Sequence, residues 1–348
     1  MNTLMYSKRL GCLIAALVVC MLIASPAVGR AADAMKPVTG SAAQYTYSSL
    51  TGPVHFRVFT PSGYRKGHPV PLVVVTHGCN TNAEQMEASS AYDAVAEAND
   101  FVVTYPDDDD AVHPVVECWN WYLPTDWQRG EGDLATIAGM VHATMAMRSI
   151  DASRVYEIGM SSGALITSDL GAAYPRLFAA IGIMAGGPYG LAVCVAGADD
   201  SSSSASGALK EEGTQSRVMP FIVLNGDKDN VVSPGCDDQA VQQWLRTDNL
   251  VLSGGQSSPL RLSPARDTVE RVRHGLSYNL LRYTAPNGCV IGEHYVIHGM
   301  GHFWSGGTSD PTYAQFTDPK GPSAAEASWT FFSHFSQSRS VVKCRAAS

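Results

Sequence analysis

The strongest constraint on this chain is a repeated alternation of short, uninterrupted apolar runs with longer helical stretches. Leu72-Val73-Val74-Val75-Thr76 is apolar and mostly β-branched without a break. Such a run suits a strand covered on both faces of a parallel sheet. Phe101-Val102-Val103-Thr104-Tyr105 is a second, and residues 154–158, 178–184, 218–224 and 293–297 read as further strands. Between them, residues 83–99, 132–149, 162–174, 237–246 and 324–335 have helical composition. Val54 to Phe59 alternates and reads as an edge strand. This order predicts an α/β chain with a doubly wound, mostly parallel sheet in a single domain. Ligands in such sheets bind beyond the carboxyl ends of the strands. Two stretches interrupt the pattern. Residues 196–216 are Ser/Gly-rich and acidic and read as a surface loop, and residues 249–275 as a second excursion.

Charge and cysteines bear on compartment and partners. The chain has 348 residues, 45% hydrophobic and 16% charged, with a net charge of −8 and no long basic run. Nucleic acid and anionic membrane surfaces are therefore poor partners. Lys8 and Arg9 precede an apolar run from Leu10 to Ala24, followed by small residues from Ser25 to Gly29. This is the layout of a secretory signal peptide over residues 1–30. The run is shorter than the ~20 residues of a membrane span, so no stable anchor is expected after cleavage. Residues 31–50 read as a loose N-terminal arm, and 51–348 as the catalytic domain with no appended binding domain. The product is expected to be an extracellular or periplasmic monomer. Outside the leader lie Cys79, Cys118, Cys194, Cys236, Cys289 and Cys344, an even set that an oxidising compartment would pair. Spacing leaves the connectivity open. No Cys/His cluster has zinc-ligand spacing, and Asp107 to Asp110 reads as a solvated acidic loop. Neither a metal nor a cofactor is expected.

Chemistry concentrates in Gly159-Met160-Ser161-Ser162-Gly163, between a strand and a helix. A tight turn there lifts a serine above the sheet at a helix N-terminus, where the helix dipole favours developing negative charge. A serine nucleophile needs a base, and the base needs an orienting carboxylate. In strand–turn–helix folds of this kind the acid and then the histidine follow the serine in the chain. Asp229 in Asn225-Gly226-Asp227-Lys228-Asp229 is the first choice of acid and Asp227 the second. His302, in the glycine-rich segment 299–307, is the base, and His298 reads as structural. Backbone N–H groups of Cys79, in Thr76-His77-Gly78-Cys79-Asn80, and of Ser162 are the expected oxyanion donors.

Taken together, His77-Gly78-Cys79, Cys118-Trp119-Asn120-Trp121-Tyr122, Gly159 to Gly163, Ala185 to Gly190 and Gly301 to Gly307 resemble the secreted polyhydroxybutyrate depolymerases. They are also similar to the feruloyl and acetylxylan esterases that share that catalytic domain. The resemblance implies an α/β-hydrolase fold with Ser161, Asp229 and His302 as its triad. It implies a Cys79–Cys118 disulfide holding the oxyanion loop, with Cys194–Cys236 and Cys289–Cys344 as the remaining pairs. Trp304, Tyr189 and His77 are expected to meet substrate, and Trp119 and Trp121 to pack in the core. Ser162 and Ala164 depart from the family's more usual small pair. The implied activity is hydrolysis of poly(3-hydroxybutyrate) or its oligomers through an acyl-enzyme. The alternatives are feruloyl or acetyl esters on plant polysaccharide, acyl transfer to a sugar or lipid, and a non-catalytic binding protein.

Overall fold

The computed structural model describes residues 37–108, 118–190, 200–254 and 259–337. The leader expected at 1–30 lies outside them, as do Asp109, Asp110, Cys194 and Cys344. One ten-stranded sheet organises the described chain. Its strands are β1 (Ser41–Ser48), β2 (Pro53–Thr60), β3 (Val70–Thr76), β4 (Val102–Pro106), β5 (Ile150–Met160), β6 (Ala180–Met184), β7 (Phe221–Gly226), β8 (Arg266–Arg271), β9 (Ser277–Thr284) and β10 (Val290–Ile297). Their spatial order is β1-β2-β4-β3-β5-β6-β7-β10-β9-β8. The six strands from β4 to β10 pair in parallel. β1 and β2 extend one side antiparallel, and β9 and β8 the other.

Strand periodicity divides the core in two. Along β3, Val73 and Val75 pack in one cluster with Ile158, Trp304 and Phe332. Leu72 and Val74 pack in the other with Ile166, Ile183 and Trp244. Successive side chains point to opposite faces, so a strand between two helical layers must be apolar throughout. Helices α1 (Ala83–Ser90), α2 (Tyr92–Asn99) and α7 (Ala324–Phe332) cover the first face. Helices α3 (Gly132–Met147), α4 (Ser162–Ala173), α5 (Ser201–Glu212) and α6 (Pro234–Ser253) cover the second.

Four expectations change. The described part of the N-terminal arm is not loose: β1 pairs with β2 from Ser41↔Thr60 to Ser48↔Pro53. The stretch read as a Ser-rich loop contains α5, whose buried Ser201, Ala205, Ala208 and Glu212 recur at helical spacing. Its packing stripe is made of small residues and one glutamate, which carry little hydrophobic signal. The excursion after Asn249 begins as the last turn of α6 and then forms β8, which hairpins with β9. The single helix expected over 83–99 is two, because Ala91 adopts φ 64° between α1 and α2. That break has a use: the carbonyls of Ser89 and Ser90 accept bonds from Thr308 N–H (2.9 Å) and Trp304 Nε1–H (3.1 Å). Both donors follow His302 in the chain, so the end of α1 anchors the segment that carries the expected base. Among the described residues no helix is long and apolar enough to cross a membrane.

Candidate active site

Four strand ends build the site. β5 ends at Met160, and the chain turns at once into α4 through Ser161, which holds φ 56° and ψ −121°. A non-glycine residue there is strained, and the surroundings fix it: Ser161 N–H donates to Met184 O at 3.0 Å, across to the end of β6. The glycines explain the motif. A Cβ on Gly159 would strike the Gly163 backbone and the Thr76 hydroxyl, and one on Gly163 would strike the His77 and Thr76 carbonyls. The turn and β3 approach so closely that neither position tolerates a side chain.

Beyond β7, Asp229 keeps its side chain buried and accepts N–H bonds from Val231 (2.8 Å) and Val232 (2.9 Å) on Oδ1. Its Oδ2 lies 2.7 Å from His302 Nδ1, and His302 Nε2 lies 2.9 Å from Ser161 Oγ. Since Nδ1 faces a carboxylate, the proton belongs on Nδ1, which leaves Nε2 to accept from the serine hydroxyl. Asp227, the alternative acid, instead accepts Gly299 N–H at 2.8 Å and faces His298 Nδ1 at 3.1 Å. Burial works to raise the Asp227 carboxyl, but Gly299, His298 and Lys228 together hold it below the ordinary range. His298 Nε2 also contacts Asn279 Oδ1 at 2.7 Å, so this pair braces the base of the His302 loop.

The remaining expected residues divide. Ser161, His302, Cys79 and Trp304 line one pocket with Gly78, Met86, Met160, Tyr313 and Phe316. That lining contains no carboxylate, ammonium or guanidinium group. Ser162 opens α4, so its N–H has no acceptor within the helix. The Cys79–Cys118 disulfide is present, and Cys236 and Cys289 are each disulfide-bonded. Trp119 is buried, with Nε1–H donating to His77 O at 3.0 Å.

Tyr189 and His77 do not face the pocket. Tyr189 packs against the α3–α6 side of the core, its hydroxyl 3.3 Å from Trp127 O. His77 is fully buried, its Nδ1–H donating to Gly78 O at 2.8 Å. β3 ends there, and strand alternation turns the histidine away while Gly78 and Cys79 face the serine. The acidic loop is not wholly solvated either, since Asp108 is 4% exposed.

Two acidic residues of the site escaped the sequence reading. Glu157 on β5 is fully buried, and burial pushes its carboxyl up to about 8 against the hydrogen bonds from Thr167 and Thr76. Thr76 Oγ1 lies 2.8 Å from Glu157 Oε1 and 3.2 Å from Gly163 O. The Thr76 hydroxyl donates to Glu157 and so ties β5 to the end of β3 beside the elbow. Asp237, in the first turn of α6, accepts Gly186 N–H at 2.9 Å. Burial, reinforced by the charge of Asp229, raises its carboxyl well above the usual range. The only sequence signal for either was an acid inside an otherwise apolar or helical segment.

A mostly parallel sheet, a strained serine elbow after its fifth strand, and acid and histidine loops after later strands define an α/β-hydrolase. The acetyl xylan esterase from Aspergillus awamori superposes with a TM-score of 0.61 over 76% of this chain and 94% of its own, at 21% identity. The family model described as esterase PHB depolymerase matches residues 55–269, and the chain belongs to that family. Poly(3-hydroxyalkanoate) depolymerase C of Paucimonas lemoignei is 33% identical over 72% of this chain and 59% of its own length. Acetylxylan esterase A of Emericella nidulans is 32% identical over 48% of this chain and 54% of its own. Feruloyl esterase B of Thermothelomyces thermophilus is 28% identical over 50% and 64%. The chain thus spans somewhat over half the length of these relatives.

Proposed function

We propose that this protein is an exported serine esterase that cleaves carboxylic esters through an acyl-enzyme, with Ser161 as nucleophile, His302 as base and Asp229 as its orienting acid. The observation that carries the proposal is the continuous contact from Asp229 through His302 to Ser161, at 2.7 and 2.9 Å. Ser161 Oγ attacks the ester carbonyl as His302 Nε2 takes its proton. Asp229 keeps the proton on Nδ1 and stabilises the imidazolium that forms. The Cys79 and Ser162 N–H groups receive the oxyanion; loss of one such donor typically costs ~10²–10³ in turnover. His302 then passes its proton to the leaving alcohol, and water repeats the cycle on the acyl-enzyme.

The preferred substrate is a neutral hydroxyalkanoate polyester or its oligomers. The depolymerase relative favours that class, and the uncharged pocket wall of Met86, Met160, Trp304 and Phe316 suits an aliphatic acyl unit. The second reading, acetyl or feruloyl esters on polysaccharide, draws on the esterases of those names that match shorter parts of the chain. Purified protein tested on 3-hydroxybutyrate oligomers, acetylated xylan and methyl ferulate separates the two by kcat/KM. Ser161→Ala should lose activity on every ester while remaining folded; retained turnover removes Ser161 from the mechanism.

A further inference from the structure

Behind the oxyanion loop, on the side away from the pocket, three ligating groups converge at the ends of neighbouring strands. His77 closes the turn after β3, and Asp107 and Asp108 follow β4, which pairs with β3 in parallel. One ligand atom from each lies within 4.8 Å of the others. Nε2 of His77 is 3.4 Å from Asp108 Oδ1 and 3.7 Å from Asp107 Oδ1.

His77 decides what this cluster is. Its ring is completely buried, and Nε2 makes no hydrogen bond. Nδ1 faces a backbone carbonyl, Gly78 O, so Nδ1 must carry a proton. In the neutral ring, Nε2 therefore presents a lone pair toward two carboxylates, which is repulsive unless a positive charge lies between them. A proton on Nε2, a proton on one of the two carboxyls, or a cation relieves it, and either proton would draw the pair to hydrogen-bond length. A charge-assisted N–H···O bond closes to ~2.7–2.9 Å, and neither contact does. A four-coordinate ion with bonds of ~2.0–2.2 Å holds its ligand atoms ~3.3–3.6 Å apart, which brackets the observed 3.4 Å and nearly reaches 3.7 Å. Metal-bound histidines also commonly donate the other ring N–H to a backbone carbonyl. The Gly78 carbonyl plays that part and is held from a second side by Thr81 Oγ1 at 2.7 Å.

We infer that His77, Asp107 and Asp108 form a structural site for a divalent transition-metal ion, zinc foremost. One imidazole with two carboxylates is a borderline donor set; calcium and magnesium select all-oxygen shells. The ion touches no substrate. It pins the residue that leads into Gly78-Cys79, as the Cys79–Cys118 disulfide pins the far side of the same loop. This departs from the metal-free expectation drawn from cysteine spacing, because the two strands bring together ligands that lie thirty residues apart in the chain.

Metal content and thermal unfolding test it. The full secreted protein should contain close to one zinc per chain before chelation. After stripping, Zn²⁺ should raise Tm by several degrees, and Co²⁺ should give the visible absorption of a four-coordinate centre. Asp107→Asn with Asp108→Asn should weaken Zn²⁺ binding at least roughly tenfold and abolish both responses. If that double variant does not fold, Asp107→Asn alone, at the more exposed carboxylate, carries the same comparison. Failure of the wild-type protein to bind Zn²⁺ or Co²⁺, or unchanged binding in the variants, overturns the site.

Discussion

Asp227 and Asp229 stand two residues apart after the same strand, yet their surroundings give them different work. Asp229 is turned inward onto His302 Nδ1, while Asp227 clasps Gly299 and His298 at the base of the loop. Asp229→Asn should therefore lower kcat by about 10⁴, as loss of the orienting acid does elsewhere, with little change in Tm. Asp227→Asn should lower Tm and leave kcat within a few-fold. Steady-state kinetics beside thermal melts distinguish them, and equal losses of kcat would contradict the assignment. Gly78 offers a finer probe. Its φ needs no glycine, but a Cβ there would sit 3.1 Å from Ser161 Cβ and 3.3 Å from Met160 O. Gly78→Ala should displace the nucleophile by a few tenths of an ångström and reduce kcat ~10–100-fold. Its circular dichroism should match wild type; full activity would mean that the elbow has slack.

Among the elements, those legible from sequence were the ones whose signal is local. β3 and β4 announce themselves as apolar runs, and the elbow by glycines at two tight contacts. Helix α5 was hidden because its buried stripe is Ser, Ala and one Glu. β9 was hidden because its burial alternates only weakly beside an exposed edge. For the same reason aromatic content misplaced Tyr189: sequence shows that a tyrosine is near a turn, but not which layer it enters. The Cys79–Cys118 bridge is where local and distant chain meet, since it ties the loop after β3 to the segment bearing Trp119. Its sequence separation of 39 corresponds to ~4 kcal/mol in the chain-entropy description. A Cys79→Ala, Cys118→Ala variant should lose stability of about that size in denaturant titrations. It should also lose kcat more than KM, because the Cys79 N–H would no longer be held against the oxyanion. A loss confined to stability would show that the loop keeps its geometry unaided.

The molecule as a whole carries acids that its core keeps neutral. Burial raises Glu157 and Glu212 to about 8 and Asp93 to about 7, each from an ordinary value near or below 4.5. Between those limits the folded chain holds protons that the unfolded chain has released. Stability must then fall as pH rises, and the contribution present in acid is gone once pH passes the folded values. His294 runs the other way: burial lowers it to about 4, so its share of stability is lost as pH falls from 6.5 toward that value. These three acids, joined by Asp169, Asp237 and Asp248, which burial also raises, weaken the fold as pH rises, and His294 weakens it toward pH 4. Each proton not compensated corresponds to about 1.4 kcal/mol per pH unit. Glu157→Gln isolates one of them, because the amide keeps an oxygen for Thr76 and has no proton to lose. Chemical denaturation from pH 5 to 8.5 should show wild-type stability declining more steeply than that of the variant, with the two curves converging or crossing at the alkaline end. Parallel curves would place Glu157 as an ordinary ionised carboxylate.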